Sequence, residues 1–225
     1  MANQTRDHAH DHDHGDHHDH DHGPKFRHPP QPDEDETLGY YQLMEAAVRE
    51  LLIEKGLISA DDIRRTIEKI DSRSPALGAR MVAHAWVDAA YRQRLLADGS
   101  AAAAELGIDA SDVKLIVVEN TPEVHNVVVC TLCSCYPRPI LGLPPDWYKA
   151  RSYRSRVVRE PRAVLKEFGT EIADSVQVRV HDSTADMRYL VLPERPAGTD
   201  GWDEGRLAEL VTRDSMIGVT KANAP

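Results

Sequence analysis

The stretch VVVCTLCSCYPRP, residues 127–139, contains every cysteine of the 225-residue chain. Cys130, Cys133 and Cys135 lie at the end of an apolar, β-branched run that predicts a strand. Cysteines two and three residues apart rarely reach disulfide geometry without strain, and an odd number leaves one thiol unpaired. The spacing therefore favours a reducing compartment, by default the cytoplasm, and a function for the sulfurs other than cross-linking.

The three thiols suit a metal ion, because thiolates are ligands for soft and transition metals. A closed structural zinc site needs four ligands, and strand alternation places the nearby His125 on the face opposite Cys130. The backbone from Cys133 to Cys135 carries the amide nitrogens of Ser134 and Cys135, so two sulfurs and two nitrogens can surround an ion. Cys130 then supplies a fifth ligand, and an open sixth position suits a Lewis-acid catalyst. A Cys3His zinc site and three inert cysteines are the alternatives.

The overall composition excludes several function classes. Net charge is −10 at pH 7, so the sequence offers no basic face to nucleic acid or to anionic lipid. No apolar run approaches the roughly 18 residues that a membrane span requires. Residues 1–25 lack the apolar core of a signal peptide, which again favours the cytoplasm.

The sequence predicts three parts: a tail with a linker, a helical arm and a metal-binding domain. Residues 1–36 form a tail of alternating His and Asp and then a Pro-rich, acidic linker, a composition that predicts disorder. Residues 37–107 are predicted to form an arm of short helices, with Ser59 and Asp62 starting the second helix and Asp88 capping the fourth. The first two helices have little within reach to cover their apolar stripes, so we expect them to pack on a partner subunit.

Residues 108–225 are predicted to form the metal-binding domain, whose class is α+β. Its strands are predicted at 113–119, 125–130, 175–180 and 187–193. Pro161 and Gly169 bound a predicted helix, and Asp203 is the expected cap of a last helix over 204–212.

The motif CTLCSC resembles the metal-binding motif of the nitrile hydratase α subunit. Three further segments, YPRPILGLPPDWYKARSYRSRVVREPR, VRVHDSTADMRYLVLPERPAGTDGW and LVTRDSMIGV, resemble other parts of that subunit's catalytic domain. The helical region from residue 37 is similar to its N-terminal arm. The resemblance covers nearly everything except the His-rich tail, and it implies a layered α-β-β-α domain that follows a helical arm.

The resemblance implies one non-corrin cobalt(III) or iron(III) ion that hydrates nitriles to amides. By resemblance, Cys130, Cys133 and Cys135 bind the ion through sulfur, while Ser134 and Cys135 bind it through main-chain nitrogen. In the family the second cysteine becomes a sulfinate and the third a sulfenate, here Cys133 and Cys135. Cys133, Ser134 and Cys135 are also the implied catalytic residues. Thr131 resembles the cobalt-type members, so cobalt is expected.

The implied reaction is Lewis-acid activation of the nitrile at the open position. Attack by a hydroxide on the metal and attack by the Cys135 sulfenate oxygen both stay open. Thiolates, amidates and oxidised sulfurs leave excess negative charge, which arginines of the β subunit offset in the family. The chain is therefore expected to require a β subunit, or two smaller chains in its place.

Residues around the motif are expected to form an outer shell. Asp182, Asp186 and Arg188 resemble an acidic and basic set of the family, although the usual residue at 186 is Glu. Ordinary surface charges beside a strand are the alternative reading. Tyr136 and Arg138, directly after the cysteines, complete the expected shell.

Arg138 also raises an alternative function. Nitrile hydratases commonly have Tyr-Pro-Trp-Pro after the cysteines, whereas this chain has Tyr-Pro-Arg-Pro at 136–139, and it lacks a Gln-Gly-Glu segment upstream. CYPRPILG instead resembles the γ subunit of thiocyanate hydrolase, a related cobalt enzyme of three chain types. A guanidinium that lined the pocket would favour an anion such as thiocyanate. If Arg138 instead packed at a subunit interface or offset the charge of the metal site, it would not indicate an anionic substrate.

The His-rich tail offers a second set of metal donors. Flexible imidazoles bind cobalt, nickel or zinc, and the tail contains His8, His10, His12, His14, His17, His18, His20 and His22. Capture of cobalt for the cysteines, with an activator or metallochaperone, is one role; solubilisation alone is the other. Together with the cysteines, the tail also permits a non-enzymatic hypothesis, a metal-buffering protein with labile metal and unoxidised thiols.

Overall fold

The computed structural model describes residues 39–225, so the predicted tail and linker at 1–36 lie outside the described part of the chain. Within residues 39–225, no helix combines the length and the apolar character needed to cross a membrane. The chain separates into two units after residue 52, and each unit is described by itself.

The first unit contains most of helix α1, Tyr40–Glu54. None of the residues of α1 is buried, and its apolar side chains include the exposed Leu43, Val48 and Leu51. An amphipathic helix with an uncovered apolar stripe is typical of a surface that meets another chain. Packing of this region on a partner subunit stays a prediction.

The second unit begins with helices whose ends the sequence predicted. The capping box of Ser59 and Asp62 is present, and the carboxylate of Asp88 accepts from the backbone N–H groups of Ala90 and Tyr91. These helices are α2 Ala60–Asp71, α3 Pro75–Val87, α4 Ala89–Ala97 and α5 Gly99–Glu105.

All four predicted strands form, but their pairing is not local. They are β1 Lys114–Glu119, β2 Val124–Val129, β3 Gln177–Asp182 and β4 Met187–Leu192. Strand β1 pairs in parallel with β4, and β2 pairs in parallel with β3, which gives two two-stranded sheets. The chain is therefore an α+β protein, as predicted.

Six short helices follow β2. They are α6 Arg138–Leu141, α7 Asp146–Lys149, α8 Arg151–Arg156, α9 Pro161–Glu167, α10 Glu204–Ala208 and α11 Arg213–Ile217. Asp203 caps α10 as expected, but the predicted helix over 204–212 ends at Ala208. Thr212 and Ser215 form a new capping box, which starts a separate helix there.

The core joins these elements into one layered arrangement. Helices α4 and α5 contact β1, β2 contacts β4 of the other sheet, and α9 contacts β3. Helix α3 contacts α6, α10 and α11, with Gly78 at the crossing. A Cβ at Gly78 would lie 2.6 Å from the Met216 sulfur and 2.9 Å from the Ile140 side chain, so a larger residue would require these side chains to shift.

Parallel pairing of β2 with β3 positions the cysteines. Parallel strands end at the same edge of a sheet, and the register places Val129 opposite Asp182. The backbone N–H of Ser183 donates to the Val129 carbonyl over 2.7 Å, directly before Cys130. Two segments more than 50 residues apart in sequence therefore meet at the end of β2, beside Cys130.

Candidate metal centre

The three cysteines lie together in a loop at residues 130–135, which we call the claw loop. The Sγ atoms of Cys130 and Cys133 are 3.4 Å apart, and those of Cys133 and Cys135 are 3.1 Å apart. All three sulfurs lie within 4.8 Å of one another, a spacing that allows one ion to bind them. Cys130 is buried, Cys135 is half-buried and Cys133 is exposed. The sequence prediction that the thiols converge is thus realised in the fold.

Asp182 fixes the start of the claw loop. The backbone N–H of Thr131 donates to Oδ1 of Asp182 over 2.9 Å, and the Thr131 hydroxyl donates to Oδ2 over 2.5 Å. Both oxygens of one carboxylate therefore hold the residue that follows Cys130. This arrangement orients the loop without placing the carboxylate on the sulfurs.

Two side chains that the sequence did not single out hold the loop's carbonyl groups. Nη1 of Arg154, on α8, donates to the Cys133 carbonyl oxygen over 3.0 Å. The hydroxyl of Tyr148, on α7, donates to the Cys135 carbonyl oxygen over 2.8 Å. The backbone between the two cysteines is therefore held on both sides of Ser134.

The thiols perturb one another electrostatically. Hydrogen bonds from the thiols of Cys135 and Cys130 lower the pKa of Cys133 to about 7. Burial, and then the neighbouring Cys133, raise the pKa of Cys135 to about 12. The cluster thus favours one thiolate, at its exposed member, over several adjacent negative charges.

A cavity of about 320 Å³ opens onto the claw loop, and arginines dominate its charge. The lining includes Cys133, Cys135, Arg73, Arg138 and Arg188. Arg73 is neutralised by an ion pair with Asp112, another lining residue, at 2.9 Å. Within residues 39–225, neither Arg138 nor Arg188 has a carboxylate within 4.0 Å, so the cavity keeps positive charge.

The sequence profile of the family described as nitrile hydratase, alpha chain, matches residues 39–220. The chain belongs to the nitrile hydratase alpha-chain family. The match includes the claw loop and nearly all of the described residues, and it confirms the resemblance that the cysteine motif and its flanks carried.

Three relatives illustrate this membership. The cobalt-containing nitrile hydratase subunit alpha of Pseudonocardia thermophila is 55% identical over 181 residues, which cover 79% of this chain and 89% of the relative. The thiocyanate hydrolase subunit gamma of Thiobacillus thioparus is 47% identical over 196 residues, covering 82% and 81%. A solved structure of a recombinant thiocyanate hydrolase with partially modified cobalt centres superposes with a TM-score of 0.77 at 46% identity, covering 83% of this chain and 92% of that one.

The chain brings three of its five expected outer-shell residues to the cavity. Arg188 and Arg138 line it, and the Arg188 guanidinium also donates to the Thr184 carbonyl. Tyr136 lines it as well, but its hydroxyl is buried without a partner in the described chain, and burial raises its pKa. Asp182 contacts the claw loop from β3, as described above.

The remaining expected residue, Asp186, lies apart from these contacts. Its side chain is exposed, and within residues 39–225 the structure records no hydrogen bond or ion pair for its carboxylate. The outer-shell roles of all five residues stay predictions.

His125 is excluded from the metal set by its own hydrogen bonds. It is 4% exposed, and its Nε2 lies 2.8 Å from the Gly218 carbonyl oxygen, which only accepts. Nδ1 must then accept from the Asn120 amide at 3.3 Å. Both ring nitrogens are thus occupied within the chain, which agrees with the strand alternation that placed this ring away from Cys130.

Proposed function

We propose that this chain is the alpha subunit of a cobalt-dependent nitrile hydratase, which hydrates nitriles to amides together with a partner subunit. The observation that carries the proposal is the convergence of three thiols within 4.8 Å, with Cys133 and Cys135 lining a cavity, in a chain of the nitrile hydratase alpha family. A protein that merely buffers metal needs neither a cavity at the thiols nor the family's domain around them.

The donor set fits a trivalent cobalt ion. Sulfurs of Cys130, Cys133 and Cys135 would bind it, together with the main-chain nitrogens of Ser134 and Cys135. When bound, the ion supplies Lewis-acid chemistry that makes the nitrile carbon electrophilic. Relatives whose names state that they contain cobalt, such as the Pseudonocardia thermophila subunit, support cobalt over iron.

The chain's own residues prepare this site. Asp182 and Tyr148 orient the claw loop, in which the three sulfurs lie within 4.8 Å of one another. The guanidinium groups of Arg138 and Arg188 offset the negative charge that thiolates and amidates bring to the cavity. The protein thus orients the claw loop and offsets the negative charge of the proposed ligands.

Differences in burial support the proposed oxidation of two cysteines. Cys130 is 1% exposed, whereas Cys133 is exposed and Cys135 is half-buried at the cavity. Thiol oxidation follows thiolate character and access. Cys133 as a sulfinate and Cys135 as a sulfenate, with Cys130 unmodified, is the pattern that this order of exposure favours.

A partner chain is the proposed cover for the apolar surface near the site. Leu132, at the tip of the claw loop, is 90% exposed, and Val158 on the neighbouring surface is 45% exposed. Apolar side chains at such a position favour a subunit interface. The proposed partner is a β subunit, or two smaller chains, and the cytoplasm stays the expected compartment.

The deciding experiment uses the complex purified with its natural partner chains from cobalt-supplemented cells. We expect about one tightly held cobalt for each claw loop, with two oxygens added at Cys133, one at Cys135 and none at Cys130 by peptide mass. Turnover of a small aliphatic nitrile to its amide completes the test. Zinc, or exchangeable metal with unmodified thiols in an assembled complex, would revive the metal-buffering hypothesis.

Thiocyanate hydrolysis is the second candidate, and the position of Arg138 favours it. Its guanidinium lines the cavity beside the claw loop, without a carboxylate within 4.0 Å in the described chain. Such a group would attract a small anion to the sulfurs. Assay of the same complex with thiocyanate and with the nitrile separates the two activities, and three chain types in the complex would favour the hydrolase.

The tail histidines, His8 to His22, lie outside the described residues. Their proposed role in capturing cobalt, with an activator or metallochaperone, rests on composition alone.

A further inference from the structure

The guanidinium of Arg154 contacts the claw loop at the peptide group between Cys133 and Ser134. Its Nη1 lies 3.0 Å from the Cys133 carbonyl oxygen and 3.4 Å from the Thr131 carbonyl oxygen. The Cys133 carbonyl belongs to the same peptide group as the nitrogen of Ser134. Under the proposed function, that nitrogen is a metal ligand, so Arg154 touches a ligand group at its oxygen end.

The chemistry of the peptide group gives this contact a consequence. Resonance couples the nitrogen and the carbonyl oxygen, so an amide that binds an ion as an anion places part of its negative charge on oxygen. A guanidinium is always protonated, and a hydrogen bond from it to a charged acceptor is roughly twice as strong as a neutral one. The bond from Arg154 to the Cys133 carbonyl should therefore strengthen when Ser134 becomes a ligand.

The charge of Arg154 is not used elsewhere in the described chain. Within residues 39–225, no carboxylate lies within 4.0 Å of its guanidinium, and its Nε is buried without a partner. Arg156, two residues further along α8, instead pairs with Glu160 at 2.6 Å and with Glu167 at 2.5 Å. Arg156 is thus neutralised by carboxylates, while Arg154 keeps its charge for the claw loop.

We propose that Arg154 is a positioning residue that orients the Cys133–Ser134 peptide and stabilises the negative charge this peptide carries as a ligand. The inference rests on the proposed function for the ligand role of Ser134. A residue that only anchored α8 to the loop would need no charge, since a neutral donor of similar length would serve equally well.

The test compares three variants of the assembled complex: Arg154→Gln, Arg154→Lys and the matched control Arg151→Gln. Arg151 lies on the same helix and lines the same neighbouring surface, but the structure records no bond from it to the claw loop within residues 39–225. Complexes are grown with cysteine labelled by ¹³C at the carbonyl, which marks three carbonyls in this chain. Cobalt content and the infrared carbonyl bands are measured, with the unlabelled complex subtracted.

We expect Arg154→Gln to retain roughly 10- to 100-fold less cobalt after dialysis against a chelator, the size of loss typical for a partner of a metal ligand. One labelled carbonyl band should move to higher frequency in the residual cobalt form, because its oxygen loses a charged donor. Arg154→Lys should recover most of the cobalt and part of the band shift. Arg151→Gln should match the parent complex in both.

Each other outcome contradicts the proposal. Unchanged cobalt and band positions in Arg154→Gln, or equal losses in Arg151→Gln, would show that the specific contact has no such role. Failure of Arg154→Gln to assemble with its partner chains even before cobalt is supplied would make Arg154 a folding anchor. Failure of the proposed function is distinguishable, because the parent complex itself would then lack cobalt and oxidised cysteines.

Discussion

The two ends of strand β2 use polar chemistry in opposite ways. At the amino end, His125 is buried with both ring nitrogens hydrogen-bonded, to Gly218 and to Asn120. At the carboxyl end, Cys130 and Cys133 contact other thiols, and the side chains of Asp182, Tyr148 and Arg154 bond to the loop's backbone and to the Thr131 hydroxyl. Polar groups at the first end are committed to the fold, whereas those at the second remain available for a ligand.

The amino end shows what a fully paired polar cluster looks like in this chain. The Asn126 amide donates to the Glu119 carbonyl over 2.7 Å and its oxygen lies 2.8 Å from Nε2 of His181. Such a network gains stability because none of its members is left unsatisfied. The same strand therefore places a structural site and a chemical site about five residues apart, and their different bonding allows separate tests.

The largest effect is expected from removing a sulfur at the carboxyl end. Cys135→Ala should abolish retention of tightly bound cobalt and lower hydration activity more than about 100-fold, because it removes a proposed ligand, whereas removing only a partner of a ligand typically costs about 10- to 100-fold. Ser134→Ala is the matched control, since it removes only a hydroxyl and keeps the main-chain nitrogen. Metal analysis and nitrile turnover of both complexes provide the measurement. Equal losses in the two variants would show that the Ser134 side chain, rather than its backbone, serves the site.

A smaller effect is expected from loosening the loop without touching a sulfur. Asp182→Asn replaces one acceptor of the Thr131 contacts by a donor, so we expect roughly 10- to 100-fold weaker cobalt retention. Asp186→Asn should change retention by less than about threefold, because surface substitutions without partners are usually near neutral. The measurement is the cobalt content of the Asp182→Asn and Asp186→Asn complexes after dialysis against a chelator. A larger loss in Asp186→Asn would support the outer-shell role that the resemblance implied.

Local sequence patterns predicted most elements but could not predict how the strands pair. The caps at Ser59, Asp88 and Asp203 appear because they depend on residues three positions away or fewer. Pairing of β2 with β3 joins Val129 to Asp182, and the alternation of apolar residues does not specify such a distant partner. The edge that positions the cysteines therefore became visible only in the fold.

The candidate site shows the same limit. The spacing of Cys130, Cys133 and Cys135 predicted a metal site because the ligands are adjacent in sequence. Arg154 and Tyr148 were missed because they bond to backbone carbonyls from 21 and 13 residues away. The segment RSYRSRVVR contains several arginines, and nothing in its pattern distinguishes the one that faces the claw loop.

A change of specificity is expected at the cavity rather than in the metal ligands. Arg138→Trp removes the guanidinium that favours anions, so the ratio of thiocyanate to nitrile turnover should fall about tenfold, a loss of about 1.4 kcal/mol of discrimination. Arg138→Lys keeps a positive charge and should lie between the parent and the Trp variant. Specificity constants for both substrates, at equal cobalt content, provide the measurement. An unchanged ratio would assign Arg138 to an interface or to the counter-charge of the claw loop.

The smallest effect on the metal, but a clear effect on stability, is expected at the amino end of β2. His125→Leu leaves the Gly218 carbonyl and the Asn120 amide without partners, which should lower the free energy of unfolding by about 1–3 kcal/mol while cobalt content stays unchanged. If cobalt were lost as well, the two ends of the strand would be coupled rather than independent.

The pH dependence of the same variant sharpens this last test. Burial lowers the pKa of His125, so below about pH 6.5 the unfolded chain binds a proton that the folded chain does not. Stability of the parent complex should therefore fall as the pH is lowered from about 7.5 to 5, by up to about 1.4 kcal/mol per pH unit for this histidine. His125→Leu should be less stable at pH 7.5 but should lose less stability on acidification. Burial also lowers the pKa of His181, so this second histidine should still cause part of the decline. Denaturant midpoints of both complexes across this range measure the difference, and parallel curves would mean that His125 is protonated equally in both states.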